Sequence, residues 1–302
     1  MSVLSSRAHR IGAADNPLVG LFVSTDLGET WSHRGWREYI RTFYAEAGRD
    51  GAIWSACGNG VLRSTDNGMS WKITTGWEIT EVLNVDVDPS DPSTVYAATA
   101  YGIFKTTDLG ESWTERSTGF HQKFSSGVLV DASENQRVFA ASEEGLYRST
   151  NGGTSWSVCG LKGLAVRAIV QVPSRPAVLW AGTENDGVFR STDSGLSWQQ
   201  RVRGLSHRTV YSIALDPRNP AQIWIGTHGG GVYRSEDEGE NWQQATQGID
   251  EHAVHTVLVL RSQSNIVFAG TINGGLYRST DGGGTWKFNS QQQAQVWGLS
   301  SH

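Results

Sequence analysis

Short stretches of alternating apolar and polar residues recur along the chain, separated by clusters of Gly, Pro, Asp and Asn. In the segment 210–242, the runs VYSIALD, QIWIGT and GVYRS each fit a half-buried or buried strand, and a fourth strand begins at Trp242. Equivalent runs precede and follow this segment. The pattern predicts an all-β protein built from repeated groups of four strands.

A short box of the form S/T-x-D-x-G-x-x-W joins the third and fourth strands of each of these groups. Seven boxes occur, and they end at Trp31, Trp71, Trp113, Trp156, Trp198, Trp242 and Trp286. Their spacing of 40 to 44 residues is typical of one four-stranded propeller blade per repeat. The sequence therefore predicts a single domain over residues 1–302, a seven-bladed β-propeller.

The second strand of each repeat carries a large side chain, which sets the register. The members of this column are Trp54, Tyr96, Phe139, Trp180, Trp224 and Phe268. In the first repeat the equivalent position is Ile11, which leaves too little chain before it for a complete first strand. We expect the C-terminal segment 294–301 to supply that strand, with Trp297 in the column of Phe43 and Ile213. Pairing of the two ends would remove exposed sheet edges.

The box resembles the BNR or Asp-box repeat of sialidases, sortilin-type receptors, xyloglucan-degrading hydrolases and photosystem II stability/assembly factor propellers. The short, uniform repeats are most similar to the last group. Three departures from the box are Thr106 for Ser, Asn151 for Asp and Glu236 for Thr. The resemblance implies that the boxes lie opposite the functional face. The box Ser and Asp are also suited to accepting backbone N–H bonds in a tight turn, with Gly at a left-handed position.

Composition and charge narrow the possible partners. The formal net charge of −5 gives no general attraction for nucleic acid or anionic lipid, and apolar residues are too dispersed for a membrane-spanning helix. The start of the chain shows no secretory signal, so we expect a cytoplasmic protein, and we expect a monomer. Cys57 and Cys159 form no metal-binding or disulfide pattern. We expect no cofactor, apart from the divalent metal considered below.

Basic residues on the face opposite the boxes form the main candidate binding site. They come from different repeats: Arg37, Arg203 and Arg208 lie in the loops, and Arg41 and Arg167 lie, with Tyr211, at the start of a strand. Guanidinium groups suit carboxylates and phosphates, so a protein segment, an anionic small molecule or a glycan could dock there. The resemblance also implies an arginine patch. The alternative is that each arginine pairs with a local acid.

Two further groups of loop residues have both a functional and a structural interpretation. Four histidines and one acid, His207, His228, His252, His255 and Glu251, could bind a divalent metal, although they lack compact ligand spacing. Trp36 and Trp77 follow a Gly after the fourth strand of their repeats, in a column continued by Phe120 and Leu205. That periodicity favours packing, and stacking against a ligand ring is the alternative.

An enzymatic function has less support in the sequence. The Arg-Ile-Pro signature of sialidases is absent, and no pair of carboxylates suited to glycoside hydrolysis stands out. The sequence favours a non-catalytic binding or assembly scaffold that uses the loops opposite the boxes. A carbohydrate-active or metal-assisted hydrolase or lyase, and a lectin-like glycan binder, are the alternatives.

Overall fold

A computed structural model describes residues 2–8, 20–34, 42–48, 50–291 and 294–301. These residues form strands and turns. The first strands are β1 Ser2–Ala8, β2 Gly20–Ser24, β3 Ser32–His33, β4 Thr42–Ala47, β5 Ile53–Cys57, β6 Gly60–Ser64, β7 Lys72–Ile73, β8 Val82–Val87, β9 Val95–Thr99, β10 Gly102–Thr106, β11 Thr114–Glu115, β12 Ser125–Val130, β13 Val138–Ser142 and β14 Gly145–Ser149. The remaining strands are β15 Ser157–Gly160, β16 Val166–Gln171, β17 Leu179–Thr183, β18 Gly187–Ser191, β19 Gln199–Gln200, β20 Val210–Leu215, β21 Ile223–Thr227, β22 Gly231–Ser235, β23 Gln243–Gln244, β24 Val254–Val259, β25 Val267–Thr271, β26 Leu276–Ser279, β27 Lys287–Ser290 and β28 Ala294–Ser301.

The strands form seven four-stranded sheets, which are the blades of a β-propeller fold. Six sheets contain four consecutive strands, from β4-β5-β6-β7 to β24-β25-β26-β27. The remaining sheet has the order β28-β1-β2-β3, so the last strand of the chain pairs with the first. The all-β class, the seven repeats and the pairing of segment 294–301 are confirmed.

Two details of the first sheet differ from the prediction. Its second strand is β1, and Ile11 lies outside the described residues. Leu299 pairs with Leu4 at the level where Ile213 pairs with Ile225, so Leu299 rather than Trp297 occupies the predicted column. The reason is that β28 takes its register from β1, which begins well before Ile11. Trp297 consequently lies two residues earlier in its strand.

The core follows the second strand of the six sheets that are built from consecutive strands. Strands β5, β9, β13, β17, β21 and β25 are buried at every position. The predicted column of large side chains is fully buried within them: Trp54, Tyr96, Phe139, Trp180, Trp224 and Phe268. Burial of such side chains contributes about 1.5–3 kcal/mol each, and this column carries the largest of them.

The box of residues 191–198 shows how the turns are held. The Ser191 hydroxyl donates to Asp193 Oδ1 at 2.8 Å and accepts from the Gly195 N–H at 2.9 Å. Asp193 in turn accepts the N–H and the hydroxyl of Ser197 at 2.9 and 2.5 Å. These bonds, led by the Ser197 hydroxyl, lower the pKa of Asp193 to about 2. The carboxylate has a structural role, as the sequence indicates.

Four of the box tryptophans, Trp31, Trp156, Trp242 and Trp286, connect their repeat to the preceding one. The indole N–H of Trp156 donates to the carbonyl of Arg116 at 2.7 Å, and that of Trp286 donates to Ala245 at 2.8 Å. In the first box, Trp31 Nε1 donates to Asn289 Oδ1 at 2.7 Å. Buried indole N–H groups need such acceptors. The last bond links the first and last repeats.

Contacts divide the chain into two compact units. The first contains Met1–Thr42, Gly182–Phe189 and Gln200–His302, and the second contains Phe43–Ala181 and Arg190–Gln199. Within the described residues, no helix is long and apolar enough to cross a membrane.

Candidate functional site

A β-bulge near the start of three strands in the first unit places a ring side chain. The pairing of β20 with β21 shifts between Val210 and Ser212, which leaves Tyr211 as the extra residue. The same shift leaves His255 extra in β24 and Trp297 extra in β28. A bulge bends the strand and changes the direction of a side chain. Three rings from three sheets are therefore presented at equivalent positions.

These rings contact one another directly. Tyr211 stacks on His255 with ring centroids 4.7 Å apart and an interplanar angle of 8°. The ring centroids of His255 and Trp297 are 4.6 Å apart, and those of His228 and Tyr211 are 5.9 Å apart; both pairs are T-shaped. We call these four residues the ring cluster. His228 is exposed and the other three are half-buried, so the cluster remains accessible to a ligand.

The loops around the ring cluster are held by backbone hydrogen bonds. The His228 N–H donates to the Thr209 carbonyl at 3.0 Å. The N–H groups of Gly229 and Gly231 both donate to the His252 carbonyl, at 3.1 and 2.7 Å. A Cβ atom on Gly230 would lie 2.8 Å from the His207 ring, so only glycine fits there without movement. The segments that carry His207, His228 and His252 thus lie against one another.

The side chains of this group are not arranged as metal ligands. In the part of the chain that the structure describes, no three His, Cys, Asp or Glu side chains converge on a common ion position. His207 Nδ1 lies 3.3 Å from the Tyr233 hydroxyl, and Glu251 Oε1 accepts the Ala253 N–H at 2.9 Å. These polar atoms therefore hold the loops.

The predicted arginines fall into three classes. Arg167 forms a two-pronged ion pair with Glu143, at 2.6 and 3.2 Å, which is the local pairing that the sequence left as an alternative. Arg203 and Arg208 are exposed, and neither forms an ion pair with any described residue. Arg37 and Arg41 lie outside the described residues, as does Trp36.

The loops that carry the two free arginines are anchored through their backbones. The Arg203 carbonyl accepts the N–H of Trp242 at 2.9 Å, and the Arg208 carbonyl accepts the N–H of Gly187 at 2.8 Å. Their guanidinium groups remain exposed while the main chain is fixed. Such an arrangement lowers the ordering cost of binding.

Trp77 lies in the second unit, and its environment differs from the favoured prediction. Its side chain is 91% exposed, so the packing interpretation is wrong. Ile79, two residues later, is 2% exposed and fills the buried position of that loop. The loop turns back through a hydrogen bond from the Ile79 N–H to the Gly76 carbonyl, which moves the buried position along the chain.

Sequence analysis did not identify Trp297 as a site residue. The signal that could have done so is its offset: Tyr211, His255 and Trp297 each stand two residues before a core position on the same strand. Those core positions are Ile213, Val257 and Leu299. An alignment based on the bulge would have separated the site column from the core column.

Comparisons with known proteins agree with the repeat pattern. The family model "Photosynthesis system II assembly factor YCF48" matches residues 103–299, and the BNR/Asp-box repeat model matches residues 22–33. No match was found among curated protein sequences.

Similar solved structures include members of two groups. A structure of YCF48 bound to D1 peptide is 17% identical, covers 83% of both chains and has a TM-score of 0.65. YCF48 from Cyanidioschyzon merolae is 16% identical over 82% of this chain and 84% of its own, with a TM-score of 0.61. The GH74 enzyme of Niastella koreensis is 16% identical over 91% of this chain, with a TM-score of 0.75. This chain covers 51% of that enzyme, about half its length. These similarities establish the fold.

Proposed function

Because this chain belongs to the photosystem II assembly factor family described by the YCF48 model, we propose that it is a non-catalytic scaffold that captures a segment of a partner protein. The docking surface consists of the 201–209 loop, the 228–231 turn and the ring cluster. The observation that carries this proposal is the presence of two exposed, locally unpaired arginines, Arg203 and Arg208, on the loop that leads into Tyr211.

The chemistry of the docking surface fits an extended peptide with acidic and apolar or aromatic side chains. Arg203 and Arg208 present planar donors that match carboxylates. The ring cluster adds half-buried aromatic surface, which gives contact area at low entropic cost. The similar YCF48 structure that holds a D1 peptide supports the same class of partner.

The enzymatic alternative has no comparable support. Glu251 is the acidic residue that an enzyme using the loop histidines would need. Its Oε1 atom accepts the Ala253 N–H and thereby stabilises its own loop. The GH74 similarity is to chains about twice as long. A binding role accounts for the exposed arginines more directly.

Binding of a synthetic D1 peptide, measured by isothermal titration calorimetry, tests the proposal. The double variant Arg203→Ala, Arg208→Ala should bind at least about tenfold more weakly than the unmodified protein, because each charge-assisted hydrogen bond contributes about 1.5–3 kcal/mol before solvent screening. Arg218→Ala is the matched control: Arg218 is also exposed in the first unit, but it lies in the turn between β20 and β21. It should leave the affinity unchanged.

Two outcomes would overturn the proposal. If the unmodified protein shows no saturable binding of the peptide, a protein segment of this kind is not its partner. If the double variant binds as well as the Arg218 control, the docking surface is elsewhere. A thermal melt of each variant separates loss of binding from loss of folding.

A further inference from the structure

A surface pocket of about 400 Å³ lies in the second unit beside the fourth box. It is lined by Arg148 on β14, by Ser155, Trp156 and Ser157 where the box meets β15, and by Leu196 from the next box. All of these residues belong to the second unit. The pocket shares no residue with the docking surface.

Arg148 occupies a position that is basic in most repeats, and other members of the set have an acidic partner. Arg278 pairs with Glu29 at 2.8 Å, and Arg234 pairs with Glu236 at 2.7 Å. Arg63 pairs with Asp50 at 3.5 Å. The guanidinium of Arg148 forms no hydrogen bond or ion pair with any residue in the described ranges, although the side chain is half-buried.

The sequence explains why Arg148 lacks a partner. Arg278 pairs with Glu29, which is the sixth residue of the box in the next repeat around the propeller. For Arg148, the sixth residue of the box in the next repeat is Leu196. Arg234 instead uses Glu236, the second residue of its own box, and the corresponding residue for Arg148 is Thr150. The positions equivalent to Glu29 and Glu236 are therefore both neutral here.

The Asn151 substitution changes the same pocket in a second way. In the other boxes of this unit, the hydroxyl of the seventh residue donates to the box aspartate, as Ser112 does to Asp108. In this box the direction is reversed, because Asn151 Nδ2 donates to Ser155 Oγ at 2.9 Å. The orientation of the amide is fixed, since Asn151 Oδ1 accepts the Ser155 N–H at 2.9 Å.

Two consequences follow from this reversal. The box that directly follows Arg148 in the chain loses a negative charge, and the proton of the Ser155 hydroxyl is no longer committed to the box. The hydroxyl of Ser155 lines the pocket and can donate into it. Ser157, directly opposite Arg148 in the strand pairing, adds a second small exposed hydroxyl.

We propose that this pocket binds a small organic anion through a carboxylate or phosphate group. The Arg148 guanidinium supplies the charge and the paired donors, and the Ser155 and Ser157 hydroxyls supply further donors. Leu196, whose side chain is 67% exposed, provides an apolar contact for the rest of the molecule. The pocket volume lies within the range of small-molecule sites, about 300–1,000 Å³.

The test uses benzoate and phenyl phosphate as probes, with binding followed by NMR of the Trp156 indole and arginine side-chain N–H groups. Saturable binding of one or both to the unmodified protein is expected, and the comparison identifies the preferred anion. Leu196→Glu and Asn151→Asp should each weaken binding at least about tenfold. Leu196→Glu adds a negative charge to the pocket lining, and Asn151→Asp adds one to the adjoining box and commits the Ser155 hydroxyl to the box again. Both variants restore residues that other boxes of this chain carry, so the fold should tolerate them.

Two substitutions of arginine complete the design. Arg148→Gln should abolish binding, and Arg234→Gln, at the equivalent position of another sheet where the arginine is paired, should leave it unchanged. Absence of saturable binding at about 10 mM of either probe would overturn the proposal, since an affinity weaker than that is less than about 3 kcal/mol. Binding that Leu196→Glu and Asn151→Asp leave unaffected would also overturn it. None of these variants alters the docking surface.

Discussion

Asp86 on β8 accepts a hydrogen bond of 2.6 Å from the backbone N–H of Val130 on β12, through its Oδ2 atom. Two residues earlier, Asn84 Oδ1 accepts the N–H of Val128 at 3.1 Å. Strand β12 is at the edge of its sheet, so these N–H groups have no partner within the sheet. Buried edge groups of this kind must be satisfied. Side chains from the adjoining sheet take the place of a neighbouring strand.

The Asp86 carboxyl predicts an unusual pH dependence of stability. Burial, followed by repulsion from Glu46, raises its pKa well above the usual value. Because the folded-state pKa is raised, the contribution of Asp86 to the free energy of unfolding is present in full below the unfolded-state pKa, near 4. It is lost as the pH rises toward the folded-state pKa. We expect Asp86→Asn to remove this loss, because an amide oxygen still accepts the Val130 N–H.

Urea unfolding from pH 4 to 8 measures this effect. The stability of the unmodified protein relative to Asp86→Asn should fall across that range. Asp86→Leu is the control that removes the acceptor, and relative to Asp86→Asn it should cost about 1–3 kcal/mol at every pH. Parallel pH profiles for the unmodified protein and Asp86→Asn would contradict the prediction.

The box carboxylates predict the opposite behaviour in acid. Hydrogen bonds, led by the Thr30 hydroxyl at Asp26 and the Ser197 hydroxyl at Asp193, lower the pKa of these groups to about 2. Carboxylates with a lowered folded-state pKa stabilise the fold at pH values above the unfolded pKa. This stabilisation is lost as the pH falls from about 4 to about 2. Several boxes titrate together, so we expect a steep loss of stability in that interval.

The native box with Asn151 supplies the matched variant for this effect. Asp193→Asn should fold at neutral pH, because Asn151 already accepts the equivalent N–H of Ser155 through its amide oxygen. It should also lose less stability than the unmodified protein between pH 4 and pH 2, as measured by circular dichroism during urea unfolding. An acid-induced loss as large as that of the unmodified protein would show that this carboxylate is not responsible.

The boxes also contain a strained backbone position. The residue before the box glycine is left-handed, with φ of 62° at Leu109 and 58° at Asn67. A left-handed conformation costs a residue such as leucine about 1–2 kcal/mol, and asparagine adopts it more readily. Leu109→Asn should therefore raise the free energy of unfolding by about 0.5 kcal/mol or more. Leu196→Asn, at an exposed leucine without positive φ, should not; equal effects would exclude backbone strain as the cause.

The fold could be predicted well from the sequence because the same pattern of strands and boxes recurs in every repeat. The box network needs a hydroxyl, a carboxylate or amide oxygen and a glycine at fixed spacing, and the aromatic column from Trp54 to Phe268 is buried as expected. The register of β28 was predicted less well. Its position depends on which residues β1 offers for pairing, a long-range choice that local alternation does not encode.

The candidate site was only partly predictable, since ion pairing depends on neighbours that are distant in sequence. Arg167 and Arg208 are both basic residues at or just before the start of a repeat's first strand, yet Glu143 pairs with Arg167, and Arg208 forms no ion pair with a described residue. The direction of Trp297 depends on a bulge that the apolar pattern does not reveal. Such features require the pairing of strands as well as their sequence.

The loop of residues 76–81 gives a direct comparison of an exposed and a buried side chain. Ile79 is 2% exposed within a cluster that includes Val61 and Val82, so Ile79→Ala should lower the free energy of unfolding by about 2–4 kcal/mol. Trp77 is 91% exposed, and Trp77→Ala should change it by no more than about 0.5 kcal/mol. Urea denaturation followed by circular dichroism measures both values. A loss at Trp77 as large as that at Ile79 would mean that the tryptophan packs as the repeat pattern indicates, and the exposed orientation would then be excluded.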